Sequence, residues 1–262
     1  MKSFFFQFLI LLIIVNSNFA QTIVNTEKLF SENDNHGLVF ASELYGNAIS
    51  GNADVFLLEY SANAAYQKNK TTMLLLSGGE YISEDKELVS NSLFGQFRFI
   101  RSLGEKQSLY SYYQIQRNEV LLLNRRQLLG LGYKVDLIKI QKDSIRDFKL
   151  SMSLSAMQEE EVLDRNSIAI TDVAYKNLTR AVFNTTIGTS ITEDFSIVNT
   201  MYYQQAMDLK DFRFLNEVNF IFQLTQALSF SVDFEYRYDS DPPSVLKLSD
   251  FNFNFGIQLN IE

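Results

Sequence analysis

The chain is 262 residues long, 46% hydrophobic and 14% aromatic, with a formal net charge of −8, one histidine and no cysteine. An acidic chain with a pI of about 4.8 lacks the basic footprint that general nucleic-acid binding needs, so no nucleic-acid partner is expected. The missing cysteines exclude disulfides and a lipoprotein anchor, and one histidine leaves no ordinary transition-metal ligand set, so no metal or other cofactor is expected.

The N-terminus carries Lys2, then an apolar run from Phe4 to Val15 broken only by Gln7, then Asn16, Ser17, Asn18, Phe19 and Ala20. That run is shorter than the roughly 20 residues a spanning helix needs, and its flanks suit a cleaved secretory signal. Residues 1–20 are therefore expected to be a signal peptide, 21–36 a short periplasmic segment, and 37–262 the folded domain. Cleavage after Ala20 removes Lys2 and no acid, which leaves the mature chain one unit more acidic. No later apolar run approaches spanning length and the mean hydropathy is −0.07, which excludes a helical membrane protein.

From residue 37 onward the polarity pattern has a period of two. It predicts strands over 37–48, 55–66, 71–83, 89–103, 108–117, 127–139, 148–158, 176–191, 195–204, 212–224, 228–238 and 250–261. In the sixth, Leu129, Leu131, Tyr133, Val135 and Leu137 oppose Gly130, Gly132, Lys134 and Asp136. In the eleventh, Phe230, Val232, Phe234, Tyr236 and Tyr238 alternate with Ser231, Asp233, Glu235 and Arg237. The twelfth sets Phe251, Phe253, Phe255, Ile257 and Leu259 against Asn252, Asn254, Gly256 and Gln258. Leu74 to Leu76 and the pair Tyr112 and Tyr113 break strict alternation in the third and fifth.

Side chains on a strand point alternately to opposite faces, so each segment has one greasy face and one polar face. Most segments reach the about nine to eleven residues that a tilted spanning strand needs, beyond the five or six usual in a soluble β-sandwich. Alternate connections are short, at 67–70, 104–107, 192–194 and 225–227, while others are longer, notably 159–175 and 239–249. Short periplasmic turns, longer external loops and an even strand number define an all-β, antiparallel transmembrane β-barrel of about twelve strands. Tyr66, Tyr110, Tyr202, Tyr203, Tyr236 and Tyr238 are expected in its interfacial girdle.

With the apolar faces on lipid, Arg98, Lys134, Lys149, Arg180 and Arg237 point into the lumen, together with Asp136, Glu217, Asp233 and Glu235. Mixed signs tend to pair and fill a narrow lumen, so low and weakly selective conductance is expected. Glu159, Glu160 and Glu161 open the longest external loop, with Asp164 nearby, and Asp239 and Asp241 sit in another. These read as solvated charge, although oxygen-rich loops could also hold calcium or magnesium. His36 precedes the first strand, at the periplasmic rim, far from where a barrel hydrolase would use it.

Several motifs carry a family resemblance: Gly51–Asn52, the Phe97–Arg98–Phe99 run, and Arg126 ahead of Gly130–Leu131–Gly132–Tyr133. The most specific are Tyr238–Asp239–Ser240–Asp241–Pro242–Pro243 and Lys247–Leu248–Ser249–Asp250. Over roughly residues 37–262 the chain resembles the salt-induced outer membrane protein family, a domain of unknown function (481). The resemblance implies a Gram-negative outer-membrane barrel and brings no substrate or catalytic residue. The final Glu262 departs from the aromatic terminus by which assembly machinery recognises many barrels.

The sequence thus points to a non-enzymatic barrel of the cell outer membrane, either a narrow small-solute or ion pore or an envelope structural and stress protein. Its partners would be outer-membrane lipid and lipopolysaccharide, the barrel-assembly machinery during biogenesis, and small solutes of undefined identity. The alternative is a surface binding module using the 159–175 and 239–249 loops, and an outer-membrane hydrolase is disfavoured by the residue inventory.

Overall fold

The computed structural model describes residues 37–49, 55–85, 87–141 and 147–261. The expected signal peptide, the periplasmic segment and His36 lie outside the described residues. Twelve strands follow one another: β1 Gly37–Ile49, β2 Val55–Lys68, β3 Thr71–Glu84, β4 Glu87–Ser102, β5 Gln107–Asn118, β6 Leu123–Gln141, β7 Asp147–Leu163, β8 Tyr175–Thr192, β9 Phe195–Ala206, β10 Phe212–Gln223, β11 Leu228–Asp239 and β12 Ser249–Ile261. Each pairs antiparallel with its chain neighbours, and β1 meets β12 to close the barrel. Closure removes the free edges that an open sheet would expose to lipid.

Alternation decides which way each residue faces. Leu129, Leu131 and Leu154 are 62%, 64% and 62% exposed on the outside, while Leu128, Met157 and Ser155 on the same strands are buried inside. The outer face is thus a belt of Leu, Phe, Ile and Tyr side chains, as a bilayer demands, and this is a transmembrane β-barrel. Leu74 and Leu76 turn inward and Leu75 outward, so the disturbed pattern in β3 comes from apolar residues on the inner face. Tyr112 and Tyr113 divide in the same way. Tyr110 and Tyr202, expected in the girdle, face the interior instead, whereas Tyr66, Tyr203 and Tyr236 are exposed outside.

Strand lengths are uneven. β6, β7 and β8 run 19, 17 and 18 residues, while β9, β10 and β11 have 12 each. The extra length is external, because β6 begins at Leu123 and β7 continues to Leu163, past the predicted end at 158. The predicted 159–175 loop therefore shrinks to residues 164–174, and Glu159, Glu160 and Glu161 belong to a strand. Asp239 likewise closes β11, leaving 240–248 as the last external loop. Ser244 donates to Asp172 Oδ2 from both its amide (3.0 Å) and its hydroxyl (3.1 Å), and Lys176 pairs with Asp241 at 2.8 Å, which ties the two loops together.

Candidate functional site in the barrel interior

The external end of the lumen is filled by charge. Arg126, Glu159, Glu161, Arg180, Arg213 and Asp239 project inward from β6, β7, β8, β10 and β11, and Asp211 joins them from the connection before β10. Glu159 accepts from the Nε of both Arg126 and Arg180 and from Arg213 Nη1 at 2.6 Å. Arg213 also donates to Glu161 at 3.1 Å and to Asp239 at 2.9 Å, and Arg180 grips Asp211 with two bonds of 2.5 and 3.1 Å. Burial alone would raise the Asp211 carboxyl, but the Arg180 hydrogen bonds and the charges of Arg213 and Arg180 outweigh it and hold it below the usual aspartate range. Three arginines face four carboxylates, every side chain at most 5% exposed. Such a set is stable only because each charge is met by opposite charge and hydrogen bonds.

Apolar side chains bracket this network. Outward of it, Leu121, Leu123, Leu163 and Ile168 form a buried cluster under the 164–174 loop. Two residues toward the periplasm on each strand, Leu128, Met157, Val182 and Leu215 form a second layer with Tyr112 and Tyr202. Tyr112 and Tyr110 pack onto β6 where it carries glycine in place of a side chain. A Cβ at Gly130 would sit 2.3 Å from the Tyr112 ring, and one at Gly132 would sit 2.4 Å from Tyr110. Tyr112 donates to Met157 Sδ at 3.3 Å, and Arg98 lies 5.5 and 5.7 Å from the centroids of Tyr110 and Tyr112.

The opposite wall is looser. Glu59, Glu80, Arg237, Asn252 and Asn254, from β2, β3, β11 and β12, are all half-buried. Arg237 binds Glu235 at 2.7 Å and also feels the charges of Glu59, Glu80 and Glu217. Asn252 donates to Glu235 at 3.0 Å, and Asn254 Nδ2 reaches both Glu59 oxygens at 3.1 and 3.3 Å. Among the described residues, Glu59, Glu80 and Glu235 share this wall with Arg237.

The residues singled out in the sequence are spread through the lumen. Arg98 is buried against the tyrosines and donates to Gln96 at 3.1 Å. Lys134 lies on the inner face of β6, followed by Asp136, which accepts from Ser151 at 2.6 Å and has Lys149 at 3.8 Å. Glu217 and Asp233 are 2% and 4% exposed, so Asp233 is shut away rather than water-facing. Glu235 and Arg237 form the pair just described. The reading of Glu159–Glu161 as a solvated run is overturned: Glu159 and Glu161 are the buried hub, and only Glu160 faces outward, to Arg125 at 2.5 Å. Arg126, Arg213, Asp211 and Asp239 were missed as interior charges. Parity could have found the strand members, since Glu159 and Glu161 continue the row of Ser151, Ser153 and Ser155, and Arg213 shares a face with Leu215 and Glu217.

A closed ring of membrane-length strands, greasy outside and charged inside, defines the class: an antiparallel β-barrel of the outer-membrane kind. The chain belongs to the family described as protein of unknown function, DUF481, which it matches over residues 43–260. No curated protein matches its sequence. Among solved structures it is similar to a NanC porin (TM-score 0.49, 8% identity, covering 85% of this chain and 100% of that one). It is also similar to a KdgM porin in complex with disordered oligogalacturonate (TM-score 0.47, 9% identity, 86% and 99%). A third is the translocator domain of the autotransporter NalP from Neisseria meningitidis (TM-score 0.42, 9% identity, 88% and 90%).

Proposed function

We propose that the chain is a non-enzymatic integral protein of the cell outer membrane that passes small cations slowly along one side of its lumen. One observation carries this reading: the external part of the inner faces of β6 to β10, from Arg126 and Glu159 to Leu128 and Leu215, is packed shut, whereas Glu59, Glu80, Asn252, Asn254 and Arg237 on β2, β3, β12 and β11 stay half-buried. The mixed charge seen in the sequence is sorted in space: three arginines are locked to four carboxylates at the mouth, and Glu59, Glu80 and Glu235 stand with Arg237 on the half-buried wall. An acidic lining favours cations over anions. Planar-bilayer recording on the mature chain tests the proposal. Small steps and a cation-signed reversal potential under a salt gradient are expected, and Glu59→Gln with Glu80→Gln should move that potential toward zero. A wide, anion-selective pore in the unmodified protein would overturn it.

Recognition of an external ligand is a second reading with its own support. Ile170 and Val245 are exposed on the two joined loops, and Leu209 is exposed on the 207–211 connection with φ of 63°. A leucine held in that backbone region at a loop tip is uncommon. Loss of surface capture on replacing residues 168–172, with conductance unchanged, would favour this reading.

A further inference from the structure

Two motifs of the sequence meet across the β11–β12 ladder. Arg237, just ahead of the Tyr238–Asp239–Ser240–Asp241–Pro242–Pro243 run, stands directly opposite Asp250, which ends Lys247–Leu248–Ser249–Asp250. Directly opposed residues on antiparallel strands have Cβ atoms about 4.5–5.5 Å apart, whereas residues two apart along one strand are about 6.5–7 Å apart. Arg237 should therefore meet Asp250 first. It turns instead along its own strand to Glu235, where its Nη2 lies 2.7 Å from Oε1 and 2.8 Å from Oε2.

The carboxylate left aside is buried. Asp250 is 5% exposed and neither of its carboxylate oxygens has a hydrogen-bond partner; the Nε of Arg237, also buried, has none either. Besides Arg237, the charges of Lys247 and Glu235 act on Asp250. Glu235, by contrast, is held twice, by Arg237 and by Asn252 Nδ2 at 3.0 Å. Two unmet groups of opposite charge on facing strands are costly to leave apart. Rotation of the Arg237 side chain toward Asp250 satisfies its Nε and the carboxylate together, and leaves Glu235 to Asn252.

We propose that Arg237 is a two-position gate shared by Glu235 and Asp250. In the first position its charge lies along the wall of Glu59, Glu80 and Glu235 and repels a cation travelling there. Turned to Asp250, it draws back toward the external end of β12 and frees Glu235, where a small cation takes its place beside Asn252. The gate rests on the conduction proposed above and names the side chain that regulates it.

Asp250→Asn is close in shape and removes an unmet buried charge, so the variant should fold. It leaves Arg237 no second ionic partner. In planar bilayers in potassium chloride it should lower the current about tenfold, because a hydrogen bond to a charged group sets the ratio of the two positions. In an Arg237→Met background the same substitution should leave the current unchanged. A plain lining charge behaves otherwise. If Asp250→Asn lowers the current equally in both backgrounds, or leaves it unchanged where Arg237 is present, the gate is overturned. Nitrogen-15 relaxation of the arginine Nε groups in detergent micelles tests the gate without any current, and stands if Arg237→Met fails to assemble. The Arg237 signal, assigned by its loss in Arg237→Lys, should show exchange between two positions that Asp250→Asn abolishes. A single unexchanging signal, the same with and without Asp250, would overturn the gate. Exchange in a chain that carries no cation current would keep the two positions of Arg237 and refute the conduction reading, so the two failures are distinguishable.

Discussion

Replacing Arg213 by methionine tests whether the charged mouth is dry. The guanidinium contacts Glu159 at 2.6 Å, Asp239 at 2.9 Å and Glu161 at 3.1 Å, and all four side chains are at most 1% exposed. Arg213→Met leaves two arginines facing four carboxylates. Removing one partner of a buried ion pair costs about 3–5 kcal/mol, whereas an exposed pair is worth about 0–1 kcal/mol. The barrel supplies its own control in Arg125 and Glu160, which pair at 2.5 Å on the outer wall with side chains 49% and 33% exposed. Arg125→Met should therefore cost less than about 1 kcal/mol. The chain has no tryptophan, so urea unfolding in vesicles is best followed by heat-modifiable gel mobility and circular dichroism. Adding Asp239→Leu to Arg213→Met should recover part of the loss, because it removes a carboxylate stranded by the first change. If Arg213→Met costs no more than Arg125→Met, the network is hydrated and the mouth is open.

Three further outcomes are expected. Gly130→Ala should cost about 1–3 kcal/mol by pushing its methyl into the Tyr112 ring, while Gly95→Ala and Gly188→Ala, with nothing within 4 Å, should be near neutral in the same urea titration. Phe234→Arg places a cation among the edge-on and tilted rings of Phe220, Phe251 and Phe253 on the lipid face and should cost about 2–4 kcal/mol, read as lost heat-modifiability after refolding. The Asp211 carboxyl is depressed in the folded state, so its contribution is present above the unfolded value of about 3.9 and is lost as pH falls through the lower folded value. The urea midpoint should fall in that acidic window, and Asp211→Asn should flatten the fall while lowering stability at neutral pH.

Period-two patterning made the barrel legible because lipid and lumen impose opposite demands on successive residues. It worked wherever the inner face is polar, as in β11 and β12, and blurred where the inner face is itself apolar, as at Leu74, Leu76 and Tyr112. The interior site was legible only in part. Arg98, Lys134, Asp136, Glu217, Asp233, Glu235 and Arg237 lie inside because alternation puts them there, but alternation does not say which charges meet. Glu159 lies 33 residues from Arg126, 21 from Arg180 and 54 from Arg213; pairing of β7 with β6 and β8 brings the first two to it, and the curvature of the closed sheet brings Arg213 across from β10. The acidic triplet misled for a physical reason: three consecutive carboxylates look solvated, yet a strand splits them between two faces.

The uneven strands explain why the plug sits where it does. At the height of Arg126 and Glu159 the outer wall of β6 to β8 is polar, with Arg125 paired to Glu160 and Gln158 bonded to Asn177 and Thr179. That part of the wall stands above the hydrocarbon, on strands of 17 to 19 residues. An outward charge costs little there, and inward arginines meet their carboxylates without lying at bilayer depth. The shorter β9 to β11 offer no such extension, so their side of the mouth is closed by loops and by the reach of Arg213 toward β7. Packing then fills the external end of the lumen from the tall side, and the inner side chains left half-buried on β2, β3 and β12, Glu59, Glu80, Asn252 and Asn254, are carboxylates and amides. Under the proposed function the path follows that wall, so substitutions at Glu59 and Glu80 should alter the current while equally charged residues across the barrel, held by arginine, leave it unchanged.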